Sequence, residues 1–136
     1  MSAQRQQEWD RQSTELARRQ ALFREVNEQV ARIGETFGSS EAISILCECG
    51  SSHCQERFEL SRETYERLRL IPTHFAVVPG HDIPAVERVV EEHEAFAIVE
   101  KLGESALVAI KLDPRRRRQS RPPEGSIALH ARRPNV

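Results

Sequence analysis

The stretch Cys47-Glu48-Cys49-Gly50-Ser51-Ser52-His53-Cys54 holds every cysteine of this 136-residue chain. The apolar residues just before it alternate with smaller or polar ones, which is typical of one face of a β-strand. Residues two apart on a strand project to the same face, so Cys47 and Cys49 can present their sulfurs together. Gly50 permits the positive φ that a tight reversal often needs, and the returning chain can then bring Cys54 to the same point.

A metal ion is the interpretation that this clustering favours. Three thiolates that converge on one point repel each other unless a cation lies between them, and zinc accepts sulfur and nitrogen ligands in a tetrahedron. Three unligated thiols packed as small hydrophobic side chains are one alternative. A redox pair is another, although a Cys47–Cys49 disulfide would be strained and an odd cysteine count leaves one thiol over. We predict one structural Zn²⁺ as the cofactor.

The fourth zinc ligand has to come from another part of the chain, because there is no fourth cysteine. His81 follows Pro79-Gly80 at the end of an apolar run, so it lies on a turn from which a side chain can point inward. His74 before that run, His53 beside Cys54, a water molecule or an acid are the alternatives. The predicted ligand set, which would close the tetrahedron, is Cys47, Cys49, Cys54 and His81.

The knuckle also resembles a known zinc motif. The pattern Cys-x-Cys-Gly-x-x-x-Cys, with Phe58 four residues on, resembles the post-SET zinc knuckle of histone methyltransferases. In that family three such cysteines bind one zinc, and a distant cysteine completes the site. Because the resemblance is confined to the knuckle, it implies the metal site and not the methyltransferase activity.

A second resemblance covers more of the chain. The span from Phe23 to Arg115 resembles a family of small uncharacterised bacterial proteins. The matching segments are residues 23–28, the cysteine stretch, and residues 75–81, 99–101 and 113–115. This resemblance implies a helix at residues 106–112, where composition does not decide between helix and strand. It implies no known activity.

Residues 1–37 are predicted to form a separate amphipathic unit at the N-terminus. Residues 4–34 predict one long helix, since they are rich in Gln, Glu, Arg and Ala and contain no Gly or Pro before Gly34. A helix packing on its own domain is one interpretation of its apolar stripe, and a self-association seam that gives a homodimer is the other. The stripe consists of residues that recur every seven positions, with two more alongside: Trp9, Leu16, Phe23, Val30 and Phe37, then Val26 and Ile33. We expect its C-terminal members to be largely buried, within one chain or between two, namely Val26, Val30, Ile33 and Phe37.

Residues 38–113 predict a zinc-knuckle domain of the α+β class. A small, mostly antiparallel sheet is predicted from residues 42–47, 57–60, 75–78 and 96–101, whereas residues 84–92 are ambiguous and favour a strand through their valines. Ser61 can cap a helix over residues 62–70, with Tyr65 and Leu68 facing inward.

Residues 114–136 differ from the rest of the chain and are predicted to be a disordered tail. They hold seven arginines and one glutamate, whereas residues 38–113 hold seven basic and 14 acidic side chains. A basic tail can neutralise phosphates, which makes weak nucleic-acid binding an alternative function. The candidate residues are Arg115, Arg116, Arg117, Arg118 and Arg121.

The sequence lacks the common catalytic signatures. There is no phosphate-binding glycine loop, no His-Glu-x-x-His helix, no Gly-x-Ser-x-Gly elbow and no deaminase zinc motif. We therefore predict no catalytic residues, and a thiol- or zinc-dependent enzyme is the second alternative.

The function that we predict is a small zinc-binding protein that acts as a protein-interaction or regulatory module, with a protein partner of unknown identity. No stretch is long and apolar enough to span a membrane, and the N-terminus lacks the apolar core of a signal peptide. Together with the clustered thiols, this composition predicts a cytoplasmic protein without membrane contact.

Overall fold

A computed structural model of the chain describes residues 2–36 and 42–116. It has the predicted α+β architecture, with a long N-terminal helix and small antiparallel sheets. In chain order the elements are α1 Ala3–Thr36, β1 Ala42–Leu46, β2 Arg57–Ser61, α2 Arg62–Arg69, β3 His74–Val77, β4 Glu87–Glu92, β5 Ala97–Lys101 and α3 Gly103–Lys111.

The strands form two sheets, where the sequence predicted one. Strands β1 and β2 make an antiparallel hairpin in which Ile45 pairs with Phe58, and β3, β5 and β4 form a second sheet in that order. Residues 84–92, for which the sequence left helix and strand open, contain strand β4. It lies at one edge of the second sheet and is bulged between Val89 and Glu91. The sheets separate because the chain leaves β1 at Leu46 and turns at the cysteines. They meet where the Glu48 backbone N–H donates to the Ala76 carbonyl, at 2.9 Å.

Helices α2 and α3 agree with the expectations for them. Ser61 caps α2, since its Oγ accepts a hydrogen bond from the Thr64 N–H at 3.0 Å, and Tyr65 and Leu68 are buried beneath the helix. Helix α3 covers the segment for which the bacterial family implied a helix.

The hydrophobic core lies between the hairpin, α2 and the three-stranded sheet, and its largest members include Ile45, Phe58, Leu60, Tyr65, Phe75, Ile98 and Val99.

Helix α1 packs on this body through a face of small and polar side chains instead of its apolar stripe. Of the four residues that we expected to be buried, Val26 and Ile33 are 37% and 56% exposed in the single chain, and Val30 is half-buried. Phe37, the fourth, lies outside the described residues. Burial of Val26 and Ile33 between two chains stays a prediction. The buried face recurs every three or four residues, at Ser13, Ala17, Gln20, Arg24, Asn27 and Ala31.

Most members of the polar face find hydrogen-bond partners in the interior. Arg24 is satisfied only in part, because its Nη1 donates to the Pro72 carbonyl at 2.7 Å while its Nε and Nη2 are buried without a hydrogen-bond partner among the described residues. Asn27 exchanges two hydrogen bonds of 2.9 Å with the backbone of Leu46, so its amide acts on β1 as a neighbouring strand would. Gln20 accepts a hydrogen bond from the Lys101 ammonium, which also donates to Glu87 at 2.8 Å. Burial lowers the pKa of Lys101, and the charge of Glu87 opposes that shift.

A second group of buried charges joins α1, α2 and the segment after α3. Arg69 donates to Glu28 at 3.2 Å and to Asp113 at 2.5 Å, and the Tyr65 hydroxyl also donates to Glu28. Residues 114–116 form a further helical turn, in which Arg115 contacts Glu28 at 2.9 Å. This start of the predicted tail therefore packs against the body, while residues 117–136 lie outside the described part of the chain.

Within residues 2–36 and 42–116, no helix combines the length and the apolar character that crossing a bilayer requires.

Candidate metal centre

The cluster is built on two turns that face each other. Cys47 directly follows β1 and continues its inward-facing alternation after Ile43 and Ile45, while Cys49 lies on the turn beyond it. The reversal needs Gly50, whose φ is 81°, and the chain returns through Cys54 before β2 begins.

The second turn carries the histidine. It follows β3, where Gly80 has a φ of 91° and the His81 N–H donates to the Val78 carbonyl at 2.9 Å. This Pro-Gly turn aims the imidazole of His81 back towards the first turn. The ligand atoms of four residues consequently all lie within 4.8 Å of one another, namely those of Cys47, Cys49, Cys54 and His81.

Two distances within the cluster agree with those expected for a tetrahedral metal site. The Nδ1 atom of His81 lies 3.6 Å from the Sγ of Cys47 and 3.6 Å from the Sγ of Cys54. Zinc–sulfur bonds of about 2.3 Å and zinc–nitrogen bonds of about 2.0–2.1 Å, at the tetrahedral angle, place N and S about 3.6 Å apart. The four side chains are thus close enough to hold a metal ion.

The outer contacts of the cluster suit metal binding. The Val78 N–H donates to the Sγ of Cys47 at 3.2 Å, which stabilises negative charge on that sulfur. The Nδ1 of His81 faces the sulfurs, whereas its Nε2 lies 3.5 Å from a carboxylate oxygen of Glu56. A carboxylate on the far side of a metal-binding imidazole favours the proton on that far nitrogen, so the near nitrogen keeps its lone pair for the metal.

The residue between the first two cysteines fixes the knuckle to the rest of the fold. Glu48 is fully buried; its carboxylate accepts one hydrogen bond from the Ala76 N–H and one from the Asn27 amide, both at 3.0 Å. Sequence reasoning missed this role for Glu48. No local sequence pattern indicates it, because the groups that bond to the Glu48 carboxylate, Asn27 in α1 and the Ala76 N–H in β3, come from distant parts of the chain.

Burial also affects the protonation of two thiols in the cluster. Burial raises the pKa of the Cys47 thiol far above its usual range, although the Val78 N–H opposes the shift. Burial likewise raises the pKa of Cys49. Without a cation the sulfurs of Cys47 and Cys49 would hold their protons at neutral pH, and a bound divalent cation would reverse that preference.

The other candidate ligands are located elsewhere. His53 is exposed, and the ring of His74 faces Glu100 at 3.8 Å instead of the sulfurs.

Among the tail residues proposed for nucleic-acid contact, Arg115 is paired with Glu28 and with Glu66, at 2.9–3.0 Å. Arg116 lies at the end of the described chain, and Arg117, Arg118 and Arg121 lie beyond it.

One side of the cluster is open. A cleft of about 390 Å³ lies beside it, and Cys49, Cys54 and His81 form part of its lining. Glu56 and Asp82 add two carboxylates to the same walls.

No family model matches the chain, and no curated protein and no solved structure gives a significant match.

Proposed function

We propose that the protein is a small zinc-binding interaction module, in which a single Zn²⁺ is structural. The carrying observation is the Cys₃His cluster, whose N–S distances of 3.6 Å are those of a tetrahedral zinc site. Four protein ligands leave no coordination position for water, and an open position is what distinguishes catalytic zinc sites from structural ones.

The proposed role of the metal is to join the two sheets. Three ligands belong to the connection between β1 and β2, and the fourth, His81, belongs to the turn that follows β3. The ten residues that connect the hairpin strands, 47–56, contain no strand or helix of their own. A bound zinc would hold this connection in place, and its binding free energy would add to the stability of the folded chain.

The proposed partner is another protein, bound through the outer side of α1, and a second copy of this chain is the partner to test first. Leu22, Val26 and Ile33 lie within a narrow arc of α1 opposite its buried face, and all three are exposed in the single chain.

The alternative of nucleic-acid binding through the tail is less favoured, because Arg115 already pairs with two carboxylates.

The test is the metal content of protein purified without added metal and without a histidine tag. We expect close to one zinc per chain, with three thiols that become titratable only after chelation. Cys49→Ser should retain less zinc and melt at a lower temperature, and His81→Ala should do so more mildly because water can occupy the vacant corner.

His53→Ala is the matched control, since His53 lies in the same loop but outside the cluster. It should leave the zinc content unchanged. Folded protein with almost no zinc and three freely titratable thiols would end the proposal.

A further inference from the structure

The three cysteines of the cluster differ in their access to solvent. Cys47 and Cys49 are 1% and 4% exposed, whereas Cys54 is only half-buried. The open cleft of about 390 Å³ is lined by Cys49 and Cys54, and Cys47 lies behind them, at the end of β1. A small molecule that enters from solvent therefore meets the sulfur of Cys54 first, with that of Cys49 next to it.

The sulfurs also differ in how their charge is stabilised. Backbone N–H groups donate to two of them, from Val78 to Cys47 at 3.2 Å and from Ser51 to Cys49. Such a donor spreads the charge of a thiolate and lowers its nucleophilicity. The Cys54 sulfur has polar contacts with Nδ1 of His81, at 3.6 Å, and with the sulfur of Cys49, and neither of these contacts is a backbone N–H donor. Cys54 is thus both the most accessible sulfur and the one that keeps the most nucleophilic character.

The walls of the cleft select by charge. Glu56 has 60% of its side chain exposed, and Asp82, which follows His81 in the chain, lines the same cleft. Two carboxylates in the lining of the cleft repel anionic reagents and leave small neutral molecules unaffected. A neutral peroxide is therefore better suited to this entrance than a charged disulfide or an organic acid.

We propose that Cys54 is the site at which a small neutral peroxide oxidises the metal cluster, and that Cys49 then closes a disulfide with it, which releases the zinc. This inference rests on the proposed zinc site. It assigns to that site a regulated state, in which the oxidation of two ligands removes the metal that joins the sheets.

The chemistry balances in two steps. With hydrogen peroxide, the Cys54 thiolate attacks one oxygen, so an S–O bond forms and the O–O bond breaks, and the hydroxide that leaves takes a proton to become water. The Cys49 thiolate then attacks the sulfenic sulfur; an S–S bond forms, the S–O bond breaks, and a second water leaves after protonation. The two thiolates lose two electrons, the peroxide gains them, and zinc keeps only two of its four protein ligands.

The test uses the zinc-loaded full chain and hydrogen peroxide. Zinc release is followed with a chromogenic chelator, and cysteines are mapped by differential alkylation and mass spectrometry. We expect one zinc released per disulfide formed, a disulfide between Cys49 and Cys54, and a Cys47 thiol that stays reduced. A dimedone trap at early times should label Cys54 before the other two.

Three outcomes would overturn this inference and leave the proposed zinc site standing. They are a zinc-loaded protein that resists a large excess of peroxide, a first dimedone label at Cys47, and a disulfide that includes Cys47. A protein isolated without zinc would overturn the proposed function as well, so the two failures are distinguishable.

Asp82→Lys supplies a control that a purely structural role would not affect. We expect it to accelerate the reaction of the cluster with a dianionic aromatic disulfide reagent several-fold at low salt, while the rate with neutral peroxide stays the same. The acceleration should shrink as salt is added, because exposed charges are screened. Equal acceleration of both reagents would mean that the substitution opened the site, and would overturn the argument from charge.

Discussion

Substitution of Gly50 by alanine tests whether the knuckle packs against α1 as described. A Cβ at this position would lie 2.6 Å from the Cγ of Gln20 and 2.9 Å from the Cδ1 of Leu16. Gln20 cannot move aside easily, since its amide is bonded to the Glu48 carbonyl, at 3.2 Å, and to the Lys101 ammonium. The second glycine turn provides a matched comparison, because a Cβ on Gly80 would meet no atom within 4 Å.

The two substitutions share one cost and differ in another. Gly50 and Gly80 have φ values of 81° and 91°, and an alanine in this region loses about 1–2 kcal/mol in either turn. Overpacking against a fixed buried side chain adds about 1–3 kcal/mol, and only at Gly50. We therefore expect Gly80→Ala to lower the free energy of unfolding by about 1–2 kcal/mol and Gly50→Ala by about 2–5 kcal/mol. The larger loss is a substantial fraction of the stability of a small domain.

The measurement is urea unfolding of both variants with zinc in excess, so that metal loss does not confuse the comparison. Each glycine is next to a proposed zinc ligand in the chain, Gly50 next to Cys49 and Gly80 next to His81. Either substitution can therefore disturb metal binding in the same way. Equal losses for the two variants, or a larger loss for Gly80→Ala, would refute the close packing of the knuckle on α1.

Three further predictions concern other parts of the molecule. Burial raises the pKa of Tyr65 above its usual range, so above about pH 10 only the unfolded chain loses this proton and stability falls as pH rises. Tyr65→Phe should remove that contribution, and chemical denaturation should show the gap between wild type and variant narrowing by about 1.4 kcal/mol per pH unit. Glu56→Ala should weaken zinc binding about tenfold in a chelator competition, because the carboxylate orients His81. Glu56→Gln should restore part of the affinity, and equal zinc affinities for the wild type and Glu56→Ala would show that Glu56 has no such role. If the outer side of α1 joins two chains, Ile33→Glu should shift sedimentation to the monomer while Gln4→Glu should not; a wild type that is monomeric at high concentration would exclude the dimer.

The features that could be predicted from sequence are those set by neighbouring residues. The strand before Cys47, the turn at Gly50 and the capped helix after Ser61 depend on alternation, glycine and a short polar cap. The structure also brings His81 to the cysteines, where a Pro-Gly turn had made it the leading candidate among several.

Other features could not be predicted, because they depend on contacts between distant parts of the chain. The buried side of α1 was assigned to its apolar residues, but polar side chains there bond to the backbone of the knuckle and of β1. The role of Glu48 follows from the same contacts, since a carboxylate between two cysteines looks solvent-exposed until Asn27 and β3 are placed against it. The division into two sheets likewise reflects where the chain leaves β1, which strand propensity does not determine.

The polar face of α1 has a consequence for how the helix is positioned. A helix held by an apolar stripe can slide by one turn, about 5.4 Å, and still cover hydrophobic surface. Such a slide would separate Asn27 from Leu46, Gln20 from Lys101 and Glu28 from Arg69 at the same time. Each buried donor or acceptor left without a partner would cost about 1–3 kcal/mol, so only one register is tolerated. The fold thereby sets the height and the rotation of α1 on the body, and Leu22, Val26 and Ile33 are presented to any partner in a single fixed orientation.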